Sequence, residues 1–167
     1  QFNKKRNENR KIKTQVENVL IVMGGSDPNA KTIYVIRFLA EQALLPDLHI
    51  NVVIGPLCYH KDAIQIESAL LKNKVTVYHS PSFLPQLMAE ADLAFAGCAT
   101  TFFELSFLGT PTIIFSQNEF EHRFCEYLSS QNVALYEGND LNNAWEVLQL
   151  YSVRKVLSQK QKKIFDG

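Results

Sequence analysis

The sequence predicts an α/β fold, a Rossmann-like open parallel sheet of about six strands with helices on both faces. Three observations carry that prediction. Short runs such as Val19-Leu20-Ile21-Val22-Met23 and Ile50-Asn51-Val52-Val53-Ile54 are apolar almost throughout and do not alternate, as strands buried on both faces require. Between them lie segments whose apolar residues recur at helical spacing. The connections are only a few residues long, so each strand reaches its neighbour through a helix. At 167 residues the chain holds one full core and not two. No internal repeat is visible.

Taken in order, residues 1–17 hold Lys4, Lys5, Arg6, Arg10, Lys11 and Lys13 with few apolar side chains. They read as a solvated basic linker or edge helix, or as a basic arm for an acidic partner. The domain itself is expected over 18–167. The first strand ends in Gly24-Gly25-Ser26-Asp27-Pro28, where Asp27 suits a helix N-cap and Pro28 the first helical position. Ile33, Ile36, Leu39, Ala40 and Ala43 then mark a helix to about Leu44, broken by Pro46-Asp47. The Ile50–Ile54 strand closes at Gly55-Pro56. An amphipathic helix over 61–72 carries Ile64, Ile66, Leu70 and Leu71, and Val75-Thr76-Val77-Tyr78 forms a short strand. After a loop at 79–82, Phe83, Leu84, Leu87 and Met88 mark a short helix. The stretch from Ala91 to Phe115 reads as strand, turn at Gly97, helix and strand, with Gly109 at the helix C′ position and Pro111 leading into Thr112–Phe115. A helix over 119–131, a strand over Val133–Tyr136, a helix from Leu141 capped by Asp140 and a basic helix near 152–163 complete the chain.

Composition excludes several classes of function. Seventeen basic residues balance seventeen acidic ones, which gives no electrostatic case for nucleic acid. No apolar run approaches the ~18–20 residues that span a bilayer, and the polar start is no signal peptide. Three cysteines, Cys58, Cys98 and Cys125, lack metal-like spacing and fit a reduced, cytoplasmic setting. No metal site and no cofactor is expected.

Two strand-to-helix turns carry the chemistry. Gly24-Gly25-Ser26 follows a strand and opens a helix, where a backbone can approach phosphate; a plain tight turn is the other reading. Gly25 to Thr32 also resembles a Walker A loop, but Ala30 replaces the required glycine and Pro28 removes a donor, so a degenerate P-loop is a remote alternative. The second turn, Gly97-Cys98-Ala99-Thr100-Thr101, offers hydroxyls and free N–H groups at a helix start; simple capping by a threonine is its other reading. Two such turns at the carboxyl ends of parallel strands favour one anionic ligand held between them. Glu104, one helical turn further on, is placed for ligand hydroxyls or is an exposed helix carboxylate. His122 follows Glu119 and Glu121 at a helix start on the same side, as an acid/base group or as part of a solvated charged face. Cys98 is tied to no histidine and reads as a small turn residue.

Val19 to Asp27, "VLIVMGGSD", and the stretch "MAEADLAFAGCATTFFELSFLGTPTIIF" resemble the C-terminal nucleotide-binding domain of GT-B-fold nucleotide-sugar enzymes. The likeness is nearest to the UDP-sugar hydrolase of the pseudaminic acid pathway and its spore-coat polysaccharide relatives, and more distant to the peptidoglycan UDP-GlcNAc transferase. It covers roughly Val19 to Gly138. It implies that Gly24, Gly25 and Ser26 face a diphosphate, with Ala99, Thr100 and Thr101 donating to it. Glu104 would take the ribose, Val77 and Tyr78 would edge the uracil, and Glu121 and His122 would lie on the sugar side. The family often has Gly where Cys98 stands and Gln where Glu121 stands. The resemblance further implies UDP or a UDP-sugar as ligand and a separate N-terminal catalytic lobe not contained in this chain. "KIFDG" at the end resembles the start of the family's closing segment, which implies a chain that continues at both ends. The expected role is the nucleotide-holding half of a hydrolase or glycosyltransferase, inactive alone. The alternative is the non-catalytic lobe of a split glycosyltransferase that docks a separate catalytic subunit.

Overall fold

A computed structural model describes residues 2–3, 10–42, 44, 47–138 and 140–164. Six strands form one parallel sheet: β1 (Asn18–Val22), β2 (His49–Ile54), β3 (Lys74–His79), β4 (Leu93–Gly97), β5 (Thr112–Phe115) and β6 (Leu135–Tyr136). Their order across the sheet is β3-β2-β1-β4-β5-β6, every pairing parallel. The connections are helices α1 (Lys31–Glu41), α2 (Lys61–Ser68), α3 (Leu84–Glu90), α4 (Thr100–Leu108), α5 (Glu119–Ser130), α6 (Leu141–Gln149) and α7 (Tyr151–Lys163). The predicted Rossmann-like sheet with helices on both faces is what the chain forms.

The continuous apolar runs are explained by what covers them. On one face Ile21, Ile50, Phe95 and Phe115 pack under α1, α2 and α6, with Leu157 of α7 joining them. On the other face Leu20, Val22, Ala94 and Ala96 meet α3 and α4. Further along it, Ile114 and Cys98 meet Phe102 and α5. Phe95 is fully buried, its ring stacked on Trp145 at 5.8 Å and tilted against Phe115 at 6.2 Å. Each such apolar side chain contributes about 1.5–3 kcal/mol by leaving water.

Some element boundaries differ from the sequence reading. α1 begins at Lys31, three residues past Pro28, because Asp27 to Ala30 form an extra turn closed by Ala30 N–H to Asp27 C=O at 3.1 Å. It ends at Glu41, where Gln42 turns extended; Ala43, Leu45 and Pro46 lie outside the described residues. α2 stops at Ser68 and not at 72; of the expected apolar set Ile64 and Leu71 are buried, while Ile66 and Leu70 stand in solvent. β6 keeps two residues of the expected four. α4, Gly109 beyond it at φ 70°, β5 and the Asp140 cap of α6 match the expectation. Of the closing "KIFDG", residues 165–167 are outside the described part.

The described part of the basic segment next to β1, residues 10–17, lies across the amino ends of the strands; Lys4, Lys5 and Arg6 lie outside the described residues. Arg10 donates from one guanidinium nitrogen to Ala89 C=O and Thr110 Oγ1, both at 2.9 Å, and from the other to Ala91 C=O. Asp92, buried, accepts the N–H groups of Glu17 and Asn18 at 2.9 Å each, with Lys13 Nζ at 3.5 Å. Arg154, on α7 and fully buried, donates to Leu148 C=O at the end of α6 and to the carbonyls of Lys13 and Thr14, at 2.8–2.9 Å. It therefore caps α6, whose last carbonyls have no helical partners, and pins the segment to the domain. Among the described residues no helix is long and apolar enough to cross a membrane.

Arg154→Met fills the same space and leaves those carbonyls without donors. We expect it to lower the unfolding free energy by about 3 kcal/mol, read as a lower urea midpoint at unchanged m-value. A midpoint shift worth less than about 1 kcal/mol would show that Arg154 is not what holds the segment.

Candidate functional site: two turns at the switch point of the sheet

The strand order reverses direction between β1 and β4. In open α/β sheets the crevice at the carboxyl ends of such a pair is where ligands bind, and it is here that the two glycine-bearing turns meet. The ends of β1 and β4 approach so closely that a Cβ on Gly97 would lie 2.9 Å from the carbonyl oxygen of Met23. Gly24 sits at φ 90°, a conformation side chains rarely adopt. A methyl group there would reach to 3.6 Å from Thr101 Oγ1. From behind, Leu57 N–H donates to Gly25 C=O at 2.9 Å, bracing the turn against the β2–α2 loop.

A cleft of about 290 Å³ opens between the turns. Its walls include Gly24, Gly25, Ser26, Ala99, Thr101 and Glu121, all expected from the sequence, together with Gln117 and Asn118 of the β5–α5 loop, which were not. Among the described residues no lysine or arginine lines it. Whatever positive potential it has comes from backbone N–H groups and from the start of α4, where about half a unit of positive charge is exposed.

The helix starts around the cleft differ in one decisive respect. α1 is capped by Asp27, whose carboxylate accepts Lys31 N–H at 2.8 Å and Thr32 N–H at 2.9 Å. α5 is capped by Asn118, whose Oδ1 accepts Glu121 N–H at 2.9 Å. α4 has no side-chain cap: Ala99 holds the N-cap position, and neither threonine bonds to the helix start. The open helix N-terminus in this cleft is therefore that of α4. The capping of α1 also disposes of the Walker A likeness. The place a P-loop turns toward phosphate is filled by the protein's own carboxylate, and Lys31 points instead to Glu137, at 2.7 Å.

The remaining predicted residues fall in different places. Thr100 is exposed at the first turn of α4. Glu104 lies one turn further along, outside the cleft wall, half-buried and with no hydrogen-bond or ionic partner among the described residues. Burial alone raises its pKa above the ordinary glutamate value. Val77 and Tyr78 stand on the edge strand β3, where the Tyr78 ring meets Phe83 edge-on at 5.4 Å. Glu121 is already engaged, its two oxygens accepting Gln117 N–H at 2.8 Å and Asn118 Nδ2 at 3.2 Å. That reciprocal pairing with Asn118 is a capping arrangement, and the spacing of Asn118 and Glu121 is its signal in the sequence. His122 is paired with neither Glu119 nor Glu121. Its Nδ1 lies 2.6 Å from Tyr136 Oη, which also meets Ser116 Oγ at 2.9 Å, and its Nε2 lies 3.6 Å from Glu126. Burial raises the pKa of the Tyr136 phenol. Cys98 and Cys125 pack together under the second turn as free thiols, and the Cys125 thiol is pushed up by its contact with Cys98 and by burial. Among the described residues no group of three or more His, Cys, Asp or Glu could hold a metal ion.

Comparison with known proteins agrees with this architecture. No family model matches the chain. Over 128 residues it is 31% identical to an uncharacterized protein of Methanocaldococcus jannaschii, covering 75% of this chain and 26% of that protein. Over 130 residues it is 25% identical to the spore coat polysaccharide biosynthesis protein SpsG of Bacillus subtilis, covering 77% of this chain and 38% of that one. The chain thus spans less than half the length of these curated relatives. Among solved structures, MurG of Acinetobacter baumannii superposes with a TM-score of 0.65 at 19% identity, over 93% of this chain and 50% of MurG. WaaG, a glycosyltransferase involved in lipopolysaccharide biosynthesis, also gives 0.65 at 21% identity, over 98% of this chain and 46% of WaaG. The fold is that of one Rossmann-like lobe of a GT-B glycosyltransferase.

The position of Glu104 makes a pH dependence testable. Because its folded-state pKa is raised, its ionisation works against the fold. The penalty is absent below the ordinary glutamate range and fully present once pH has risen through the raised folded value. Glu104→Gln is therefore expected to be more stable than the parent at pH 7, with the gap closing near pH 4 in paired urea titrations. A variant less stable than the parent at pH 7 would contradict this account of the carboxylate.

Proposed function

We propose that this chain is the UDP- or UDP-sugar-holding lobe, the C-terminal one, of a two-lobed glycosyltransferase or nucleotide-sugar hydrolase of surface polysaccharide or nonulosonic acid biosynthesis. The observation that carries the reading is the uncapped start of α4 opening into the switch-point cleft. A diphosphate there accepts hydrogen bonds from the N–H groups of Gly25 and Ser26 on one side and of Ala99, Thr100 and Thr101 on the other. The hydroxyls of Thr100 and Thr101 add donors. Glu104, half-buried and without a partner among the described residues, accepts the ribose hydroxyls, and the base lies toward Val77 and Tyr78. The sugar then extends toward Glu121 and His122. The polysaccharide role rests on the likeness to SpsG.

In the reaction so drawn, water or an acceptor hydroxyl attacks the anomeric carbon, and the bond from that carbon to the diphosphate breaks. Alternatively the nucleophile attacks a phosphorus of the diphosphate. Either way negative charge grows on the phosphate oxygens, and the start of α4 stabilises it with dipoles already in place. No side chain of the cleft is arranged as a base for the nucleophile, since Glu121 is held by its own loop and Asp27 by α1. The base belongs to the second lobe, and the isolated chain binds without turning over.

Calorimetry with UDP, ADP and CMP tests the reading. UDP is expected to bind at least about tenfold more tightly than either other nucleotide. Thr100→Pro removes the N–H and the hydroxyl of one residue, at a helix position that proline favours. It should weaken UDP about tenfold or more while leaving the urea midpoint in place. Failure of all three nucleotides to bind a folded chain, or release of UDP from a UDP-sugar by this chain alone, would overturn the assignment.

A further inference from the structure

A second and larger cleft, of about 720 Å³, adjoins the first and shares Gln117 and Asn118 with it. The partition between them is a strap. Gln117 Nε2 donates to Asp27 Oδ1 at 3.1 Å, and Asn29 Nδ2 donates to Gln117 C=O at 2.8 Å, so the loops after β1 and β5 are tied together over the end of β4. Tyr34 and Lys31 of α1, Glu137 after β6, and Ser116 and His122 form the outer cleft.

The chemistry of that wall excludes some ligands and favours one. Lys31 is neutralised by Glu137 at 2.7 Å and also lies over the Tyr34 and Phe115 rings at 5.7 and 5.8 Å. It is not available to a phosphate, and Glu119 at the rim adds negative charge. An anion is disfavoured. The remaining groups are uncharged donors and acceptors, the side chains of Asn29, Ser116, Gln117 and Asn118, together with the His122 ring, beside the half-exposed Tyr34 ring. One acceptor is conspicuous: Gln117 Oε1 is buried without any hydrogen-bond partner. Turning the amide over would set that oxygen against the Asp27 carboxylate, so its orientation is fixed by the strap. A buried acceptor on the partition asks for a hydroxyl or amide donor from a ligand.

We infer that the outer cleft is a saccharide subsite that takes an uncharged sugar ring, laid against Tyr34 and hydrogen-bonded by the amides and by Gln117 Oε1. This ring sits against Lys31, Tyr34 and Glu137, which line only the outer side of the strap, and shares with the sugar carried on the diphosphate only His122 at the outer cleft. The inference stands on this cleft and does not require the nucleotide reading.

The test is a ¹H–¹⁵N titration of the 167-residue chain with maltose and chitobiose, with glucuronate as the anionic arm, each repeated at saturating UDP-GlcNAc. A neutral disaccharide should move the amides of Tyr34, Gln117 and Glu137, with an affinity changed less than about twofold by the nucleotide-sugar. Tyr34→Ala should weaken it at least about fivefold, while Tyr34→Phe, which keeps the ring, stays within about twofold. Absence of shifts at these amides with both disaccharides overturns the inference. So do glucuronate binding as well as they do, displacement by UDP-GlcNAc, or an unchanged affinity in Tyr34→Ala. A chain that binds a disaccharide and ignores UDP upholds this inference and fails the nucleotide reading.

Discussion

The carboxel end of the sheet depends on how one buried carboxylate, Asp27, is satisfied. Its two oxygens take the first free N–H groups of α1 and the side-chain amide of Gln117. Those bonds set where α1 starts, and hence the shape of the Gly24 turn in front of it. They also hold the β5–α5 loop above β4, and that loop divides one cleft from the other. A buried carboxylate with fewer partners would cost several kcal/mol. With three, it becomes the joint on which both clefts are hung.

The same residue explains why the two glycine-bearing turns, so alike in sequence, are unlike in chemistry. A helix start attracts an anion only while its N–H groups lack an internal acceptor. α1 has supplied its own anion. α4 has Ala99 at the corresponding position and supplies none. The cleft thus offers one open helix start, several backbone donors and, among the described residues, no cationic side chain. Binding of this kind is directional and is screened less by salt than a lysine cluster would be.

Much of the fold was legible because its signals are local. The unbroken apolar runs marked strands covered on both faces, and Gly109 and Asp140 marked helix ends where the structure has them. Strand order was not legible, since nothing in Val19–Val22 or Leu93–Ala96 says that they are neighbours. Yet that adjacency is what joins the two turns. Asp27 was read correctly as a capping residue and placed wrongly, because the Pro28-Asn29 turn inserts residues that periodicity does not register. Of the apolar residues read into one helix, Leu70 lies beyond the end of α2, and Ile66, two residues from the buried Ile64, stands about half a turn round the helix and faces solvent. Gln117, Tyr34 and Glu137 carried no motif. Their meeting comes from strands far apart in sequence, and only the Asn118–Glu121 spacing hinted that the β5–α5 loop is built.

Arg154 joins residues 140 and 141 positions apart, its guanidinium closing on the carbonyls of Lys13 and Thr14. During synthesis the sheet can therefore assemble strand by strand while the segment before β1 still waits for α7, which follows all six strands. Loop-closure entropy places such a contact late in folding as well. The lower edge of the domain is thus sealed by α7, after all six strands, and the order in which the chain appears becomes the order in which its edges are made safe.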